Sequence, residues 1–238
     1  MVQEYISSVD EWQEEINKGK MFGVLVVQER GGEIGFLAAF SGNLAGRNDH
    51  EYFVPAVYDM LQPDDFFRRE EAEISAINRS VAELEQSAEY CNARQAVQNR
   101  KSQAEREIAA LKNTLAQRKI ERAQRRAEGE AEAQLIIESQ RDNADLQRLK
   151  RHHRDAIAEA ESHLAEFDAE IASLREERSR RSADLQMALF REFRMLNARG
   201  EVSDLCELFA PTAQRIPPAG AGECAAPKLL QYAYLNDL

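Results

Sequence analysis

Between Pro63 and Pro211 this chain of 238 residues has no other proline, and only two glycines, Gly129 and Gly200, interrupt it. No single globular helix is that long, so a stretch so poor in breakers must build something more extended. From Phe66 to about Leu196 its apolar residues keep an alternating three-and-four spacing. Ile74, Ile77, Val81, Leu84, Ala88 and Cys91 do so on one side of Gly129, and Ala160, Leu164, Phe167, Ile171 and Leu174 on the other. That spacing is the seam of a coiled coil. Ile108, Leu111 and Leu115 continue it, while Gln95, Gln98 and Ser102 weaken it.

Gly129, the single break in the run, lies almost midway between Phe66 and Leu196. An antiparallel hairpin with its tip near Gly129 brings the chain back to where it left, with arms of roughly 60 residues reaching about 90 Å. The alternative tip is Ser139 to Leu146, where Asp142 and Asn143 suit a turn. Either way the chain ends share one base. The expectation is an α+β fold in which residues 1–66 with 200–238 form a small α/β base, its sheet containing a β-hairpin. Residues 67–199 are then an inserted antiparallel coiled-coil arm.

Within the base, Ser8-Val9-Asp10-Glu11 has the pattern of a capping box, opening a helix from Val9 to Lys18 that shows Trp12 and Ile16 on one face and stops at Gly19. Met21 to Gln28 and Glu33 to Phe40 read as strands joined by Gly31-Gly32, a pair suited to the positive φ of a tight hairpin. Both strands are apolar on both faces, which predicts a central or helix-covered position. A polar loop leads on to Tyr52–Leu61 and Pro63. At the far end Pro227 fits a first helical turn, and Lys228 to Leu238 reads as a helix with Leu229, Leu230, Ala233, Tyr234 and Leu238 on its apolar face. No glycine or basic last turn closes it, so the chain reads as stopping while a core is still being built.

The formal charge of −11 argues against a nucleic-acid partner until its location is considered. From Arg68 to Arg199 there are 25 basic and 25 acidic residues, so all the excess acid lies in the ends. Within the arm the charges separate again. Lys112, Arg118, Lys119, Arg122, Arg125 and Arg126 stand against Glu121 alone, and Arg141, Arg148, Lys150, Arg151 and Arg154 against Asp142 and Asp145. By contrast, Asp155 to Glu177 holds eight acids and one base. With the tip at Gly129 both basic runs are distal. The candidate RNA contacts are therefore Arg118, Lys119, Arg122, Arg125, Arg126, Lys150, Arg151 and Arg154, because phosphate binding is driven by such residues. The bland alternative is a solvated coiled-coil surface laced with ion pairs.

Other chemistry is sparse. Cys91, Cys206 and Cys224 are odd in number and widely spaced, with no metal-ligand pattern, and read as reduced thiols. No targeting segment and no apolar run of membrane-spanning length is present, so a cytoplasmic protein is expected. Cys224 precedes a helix start, where a thiolate can be stabilised, but no histidine is near it in sequence. Ala219 to Lys228 lacks the spacing of a phosphate-binding loop. The residues favour a buried structural cysteine at Cys224 over a catalytic or metal-binding one.

The stretches FGVLVV, IGFLAAFSGNLAG, FVPAVYDML and GAGECAAPKLLQYAYLN resemble the N-terminal extension of long-form bacterial ribosomal large-subunit pseudouridine synthases of the A type. The last stretch is the most specific part. The arm is similar only as a long coiled coil. In that family a catalytic domain follows, carrying an active-site aspartate in a His-Arg-Leu-Asp motif that this chain lacks. The resemblance implies an accessory region of an RNA-modifying isomerase that needs no metal or organic cofactor. Its partners would be ribosomal RNA at the arm tip and a C-terminal catalytic domain of the same polypeptide, with no membrane, and its state a monomer or coiled-coil dimer. The competing expectation is a structural protein whose coiled coil serves as spacer or dimer seam. An enzyme using Cys224 is the weakest reading.

Overall fold

The computed structural model of the chain describes residues 2–62 and 66–238, so Pro63 lies outside the described residues. The fold is α+β, with a β-hairpin and a long antiparallel helical pair. Two compact units divide the chain, Met1–Ser75 with Arg178–Leu238 and, inserted between those segments, Ala76–Glu177.

The first unit opens with α1 (Val2–Ser7), a 3-10 turn (Asp10–Trp12) and α2 (Gln13–Asn17). The 3-10 turn runs directly into α2, and together they occupy the helix expected from Val9 to Lys18, with α1 before them. The Ser8 hydroxyl does not cap a following helix but donates back to the Tyr5 carbonyl at 2.7 Å, the local competition with the backbone that serine favours. Trp12, where the 3-10 turn meets α2, lies in the core, 3 % exposed, with the rings of Tyr5 and Phe53 within 6 Å. Gly19, at φ +98°, ends α2 as its position in the sequence indicates.

Strands β1 (Phe22–Gln28) and β2 (Ile34–Phe40) pair antiparallel, Phe22 opposite Phe40 and Gln28 opposite Ile34. Of the two turn glycines only Gly32 has positive φ, +85°. Its N–H donates to the Glu29 carbonyl at 2.8 Å, giving a longer loop with one left-handed residue. The expected helix cover is present on one face and incomplete on the other. One face packs on α7 (Ala225–Leu235) through Leu25, Leu37 and Ala39 against Leu229 and Ala225. The other is covered only where Phe22, Ala38 and Phe40 meet Trp12, Leu44 and Phe53, so Val24, Val26, Ile34 and Phe36 remain exposed. Side-chain polarity cannot tell a covered face from one covered for half its length.

Helix α7 starts at Ala225, earlier than expected, and buries Lys228, Leu229 and Ala233, while Leu230 is exposed. The buried face is thus rotated from the one read off the leucines. Asp237, at φ +53°, lets the Leu238 N–H reach the Ala233 carbonyl at 3.0 Å, a closure that glycine more often provides. A third cluster gathers Phe190, Phe193 and Leu205. Around it β3 (Arg194–Leu196) pairs with β4 (Val202–Asp204), and the Asp204–Glu207 capping box starts α6 (Leu205–Phe209).

The helical run is made of α3 (Phe66–Gln86), α4 (Ala88–Ala127) and α5 (Glu132–Glu192), and gives way to β3 just before Leu196. Gly129 is not its single break. Ser87 takes an extended conformation and its hydroxyl accepts the Tyr90 N–H at 3.1 Å, an N-cap in the middle of the run. The seam shifts with it: Ala93, Val97 and Ala104 are buried, whereas Ala88 and Cys91 face solvent. Between α4 and α5 the chain turns through Gly129 at φ +92°. The alternative turn at Asp142-Asn143 lies inside α5.

Candidate nucleic-acid interface

Cross-helix partners in the second unit fix an antiparallel register. Glu85 meets Arg175, Tyr90 meets Asp168, Lys101 meets Glu161, Arg118 meets Asp142 and Arg126 meets Glu132, the second number falling as the first rises. Every pair steps outward from the Gly129 turn. On α5 the inward positions near that turn follow a seven-residue repeat, Leu135, Asp142 and Leu149, so a carboxylate occupies a seam position where leucine stands one heptad to either side.

Asp142 is 8 % exposed. Arg118 Nη1 donates to its Oδ1 at 2.8 Å and Arg122 Nη1 to its Oδ2 at 2.5 Å. Burial pushes the Asp142 carboxyl up, and the bonds from Arg122 and Arg118 more than offset this, leaving it below the usual aspartate value. Nearer the turn Arg125 bridges Glu130 and Glu138, and Arg126 grips Glu132 with 2.7 and 2.9 Å contacts. The bonds from Arg125 hold the Glu130 and Glu138 carboxyls below their ordinary range, and that from Arg126 does the same for Glu132. Further along, His153 is buried with Nε2 2.9 Å from Glu107 Oε2, without hydrogen-bond alignment.

The eight residues singled out from the sequence therefore separate into groups. Arg118, Arg122, Arg125 and Arg126 are engaged by carboxylates of their own hairpin. Arg154 pairs with the adjacent Asp155 at 2.9 Å. Lys119, Lys150 and Arg151 are exposed and make no ion pair among the described residues.

Two grooves flank the seam at this level. One, of about 680 Å³, is lined by Lys112, Lys119 and Arg126 from α4 and by Ser139, Gln140 and Asn143 from α5. The other, about 370 Å³, is lined by Arg118, Arg125 and Arg141 together with Glu121, Glu138 and Asp145. Arg122 and Asp142 reach both. Sequence reasoning counted Lys112 in the basic run without selecting it, although Lys112, Lys119 and Arg126 recur every seven residues and so share one helix edge.

Elsewhere the candidate chemistry is thin. Cys224 occupies the N-cap position of α7 with no side-chain bond to the helix, its Sγ 3.7 Å from the Gly220 carbonyl, and all three cysteines are unpaired. Among the described residues no cluster of three His, Cys, Asp or Glu side chains is arranged to hold a metal, and no helix is long and apolar enough to cross a membrane. No family model, no curated protein and no solved structure matches the chain.

Proposed function

We propose that this chain is the non-catalytic accessory region of a cytoplasmic RNA pseudouridine synthase, in which the helical hairpin helps to hold structured RNA, ribosomal RNA in the first instance. Isomerisation of uridine belongs to a catalytic domain of the same polypeptide. The observation that carries the RNA-holding role is the charge left over near the turn. Lys119, Lys150 and Arg151 stay exposed without an ion pair among the described residues, whereas residues 155–177 are strongly acidic. Free cations on one part of a helical pair and acid on the rest favour contact with a polyanion at one place only. The unpaired cysteines fit a reducing compartment. The family itself rests on the resemblance of the two chain ends.

The test is binding of a structured ribosomal RNA fragment to the full chain across a salt series. Affinity that falls steeply with salt supports the reading, because each phosphate contact contributes roughly 0.7 to 0.9 to the log–log slope. Concentration-dependent self-association with no RNA affinity supports the alternative, a spacer or dimerisation module. That alternative is favoured by the use of Arg118, Arg122, Arg125 and Arg126 within the hairpin itself.

A further inference from the structure

The two grooves of the helical hairpin differ in charge, and the difference is built by the heptad register. On the smaller groove four arginines, Arg118, Arg122, Arg125 and Arg141, face four carboxylates, Glu121, Glu138, Asp142 and Asp145. Arg125 is bonded to Glu138, and Arg148, one heptad from Arg141, is bonded to Asp145. That side is neutralised from within. The larger groove has Lys112, Lys119 and Arg126 along one wall and the uncharged Ser139, Gln140 and Asn143 along the other. Its lining carboxylate, Asp142, is already held by Arg118 and Arg122. Neither Lys112 nor Lys119 has an ion-pair partner among the described residues.

Lys150 extends the same side. It follows Asn143 by seven residues, so it stands on the same edge of α5 one heptad further from the turn. The antiparallel register, bracketed by Glu107 with His153 and Arg118 with Asp142, sets it close to the level of Lys112. Lys112 and Lys119 are seven residues apart, about 10 Å along the helix, far enough to meet separate phosphates.

We propose that the hairpin is one-sided: the groove bearing Lys112, Lys119 and Lys150 takes the phosphate backbone of RNA, with Gln140 and Asn143 as hydrogen-bonding groups, and the opposite groove does not. This rests on the RNA reading above and names the surface responsible. It moves the contact away from the Arg118–Arg122–Arg125 stripe, whose charges are spent on the helix pair.

The experiment compares two triple variants of the full chain, each removing three positive charges from exposed helix positions with a good helix former. One is Lys112→Gln, Lys119→Gln, Lys150→Gln, and the other is Arg141→Gln, Arg148→Gln, Arg178→Gln, the last an exposed position outside both grooves that matches the charge removed. Circular dichroism verifies equal helicity, and the probe is a fluorescein-labelled RNA stem-loop titrated at several salt concentrations. The expected result is at least a tenfold loss of affinity for the lysine variant, with a log–log slope lower by roughly 2 to 3. The arginine variant should stay within about threefold of the parent. Equal losses in both variants, or a larger loss in the arginine variant, overturn the one-sided groove while RNA binding by the parent stands. A parent that does not bind the stem-loop overturns both proposals. Displacement of the RNA by polyglutamate at equal charge overturns the assignment to RNA and gives the groove to an acidic protein surface.

Discussion

The ammonium of Lys228 is buried at the C-terminal end of β2, where its Nζ donates to the Phe40 carbonyl at 2.9 Å and to the Gly42 carbonyl at 2.7 Å. It also lies 4.6 Å from the centre of the Phe40 ring. This one side chain ties α7 to the end of β2. Replacing Lys228 by methionine keeps the length and apolar stem but leaves two carbonyls without their donor, which costs on the order of 1–3 kcal/mol for each one left unsatisfied. Urea unfolding followed by Trp12 fluorescence measures the loss, and an unchanged midpoint would show that the bonds contribute nothing.

Burial pushes the Lys228 ammonium down to about 8, with Glu223 opposing the shift. The unfolded chain holds its lysine protons to higher pH, so between that value and about 10.4 the unfolded state binds a proton that the native state does not. Stability of the parent relative to the Lys228→Met variant should therefore rise with pH across that window and level off above it. Unfolding midpoints of both proteins at pH 7, 9 and 10.5 give the difference. A flat difference would place the ammonium at its ordinary value.

Gly222 is closed to any side chain. A Cβ there would fall 2.2 Å from Cδ1 of Phe193, itself buried, so the ring has no room to swing away. Gly222→Ala should destabilise the first unit by at least 1–3 kcal/mol, the usual cost of overpacking. Gly129→Ala meets nothing within 4 Å but must adopt φ +92°, so its cost is backbone strain of about 1 kcal/mol. Trp12 fluorescence reports the first change; the second should leave that signal alone.

Much of this architecture could be read from residue spacing. The three-and-four repeat from Ala160 to Leu174 lies on the inward side of α5, and Gly129 forms the turn. Ser87 escaped notice because its neighbours are good helix formers and the spacing can be continued through it on paper. Lys228 escaped because its acceptors, on Phe40 and Gly42, come from the other end of the chain. The ion pairs of Arg118 and Arg125 depend on the register of α4 against α5, which the sequence of neither helix contains. Lys112, Lys119 and Arg126 were accessible by counting sevens, and a search for local charge density did not count.

The hairpin closes within one chain. Spin labels at positions 123 and 133, with the three native cysteines replaced by alanine, should report a distance within about 25 Å, given 8–10 Å between packed helix axes. Dilution with unlabelled protein should leave the distance distribution unchanged. Loss of the short distance on dilution would mean that the helices pair between chains.

Asp142 and Arg122 form the polar lock of the seam. Replacing Asp142 by leucine leaves Arg122, only 12 % exposed at its side chain, without its partner, and should cost roughly 3 kcal/mol. Leucine at both positions 122 and 142 continues the Leu135–Leu149 repeat and should recover most of that loss, within about 1 kcal/mol of the parent or above it, because well-packed apolar residues often replace a buried pair without penalty. What the double variant should lose is register. Spin labels at positions 123 and 133 read this, and a broader distance distribution than the parent's marks the slip. The acid limb supplies a second readout. The Asp142 carboxyl sits below its unfolded value, so its contribution is complete above about pH 4 and is lost as pH falls through the lower folded value. The double variant should lack that contribution. A double variant as unstable as Asp142→Leu alone would show that the leucines do not pack in this seam, and a parent with no such acid loss would show that Asp142 is not held by its arginines.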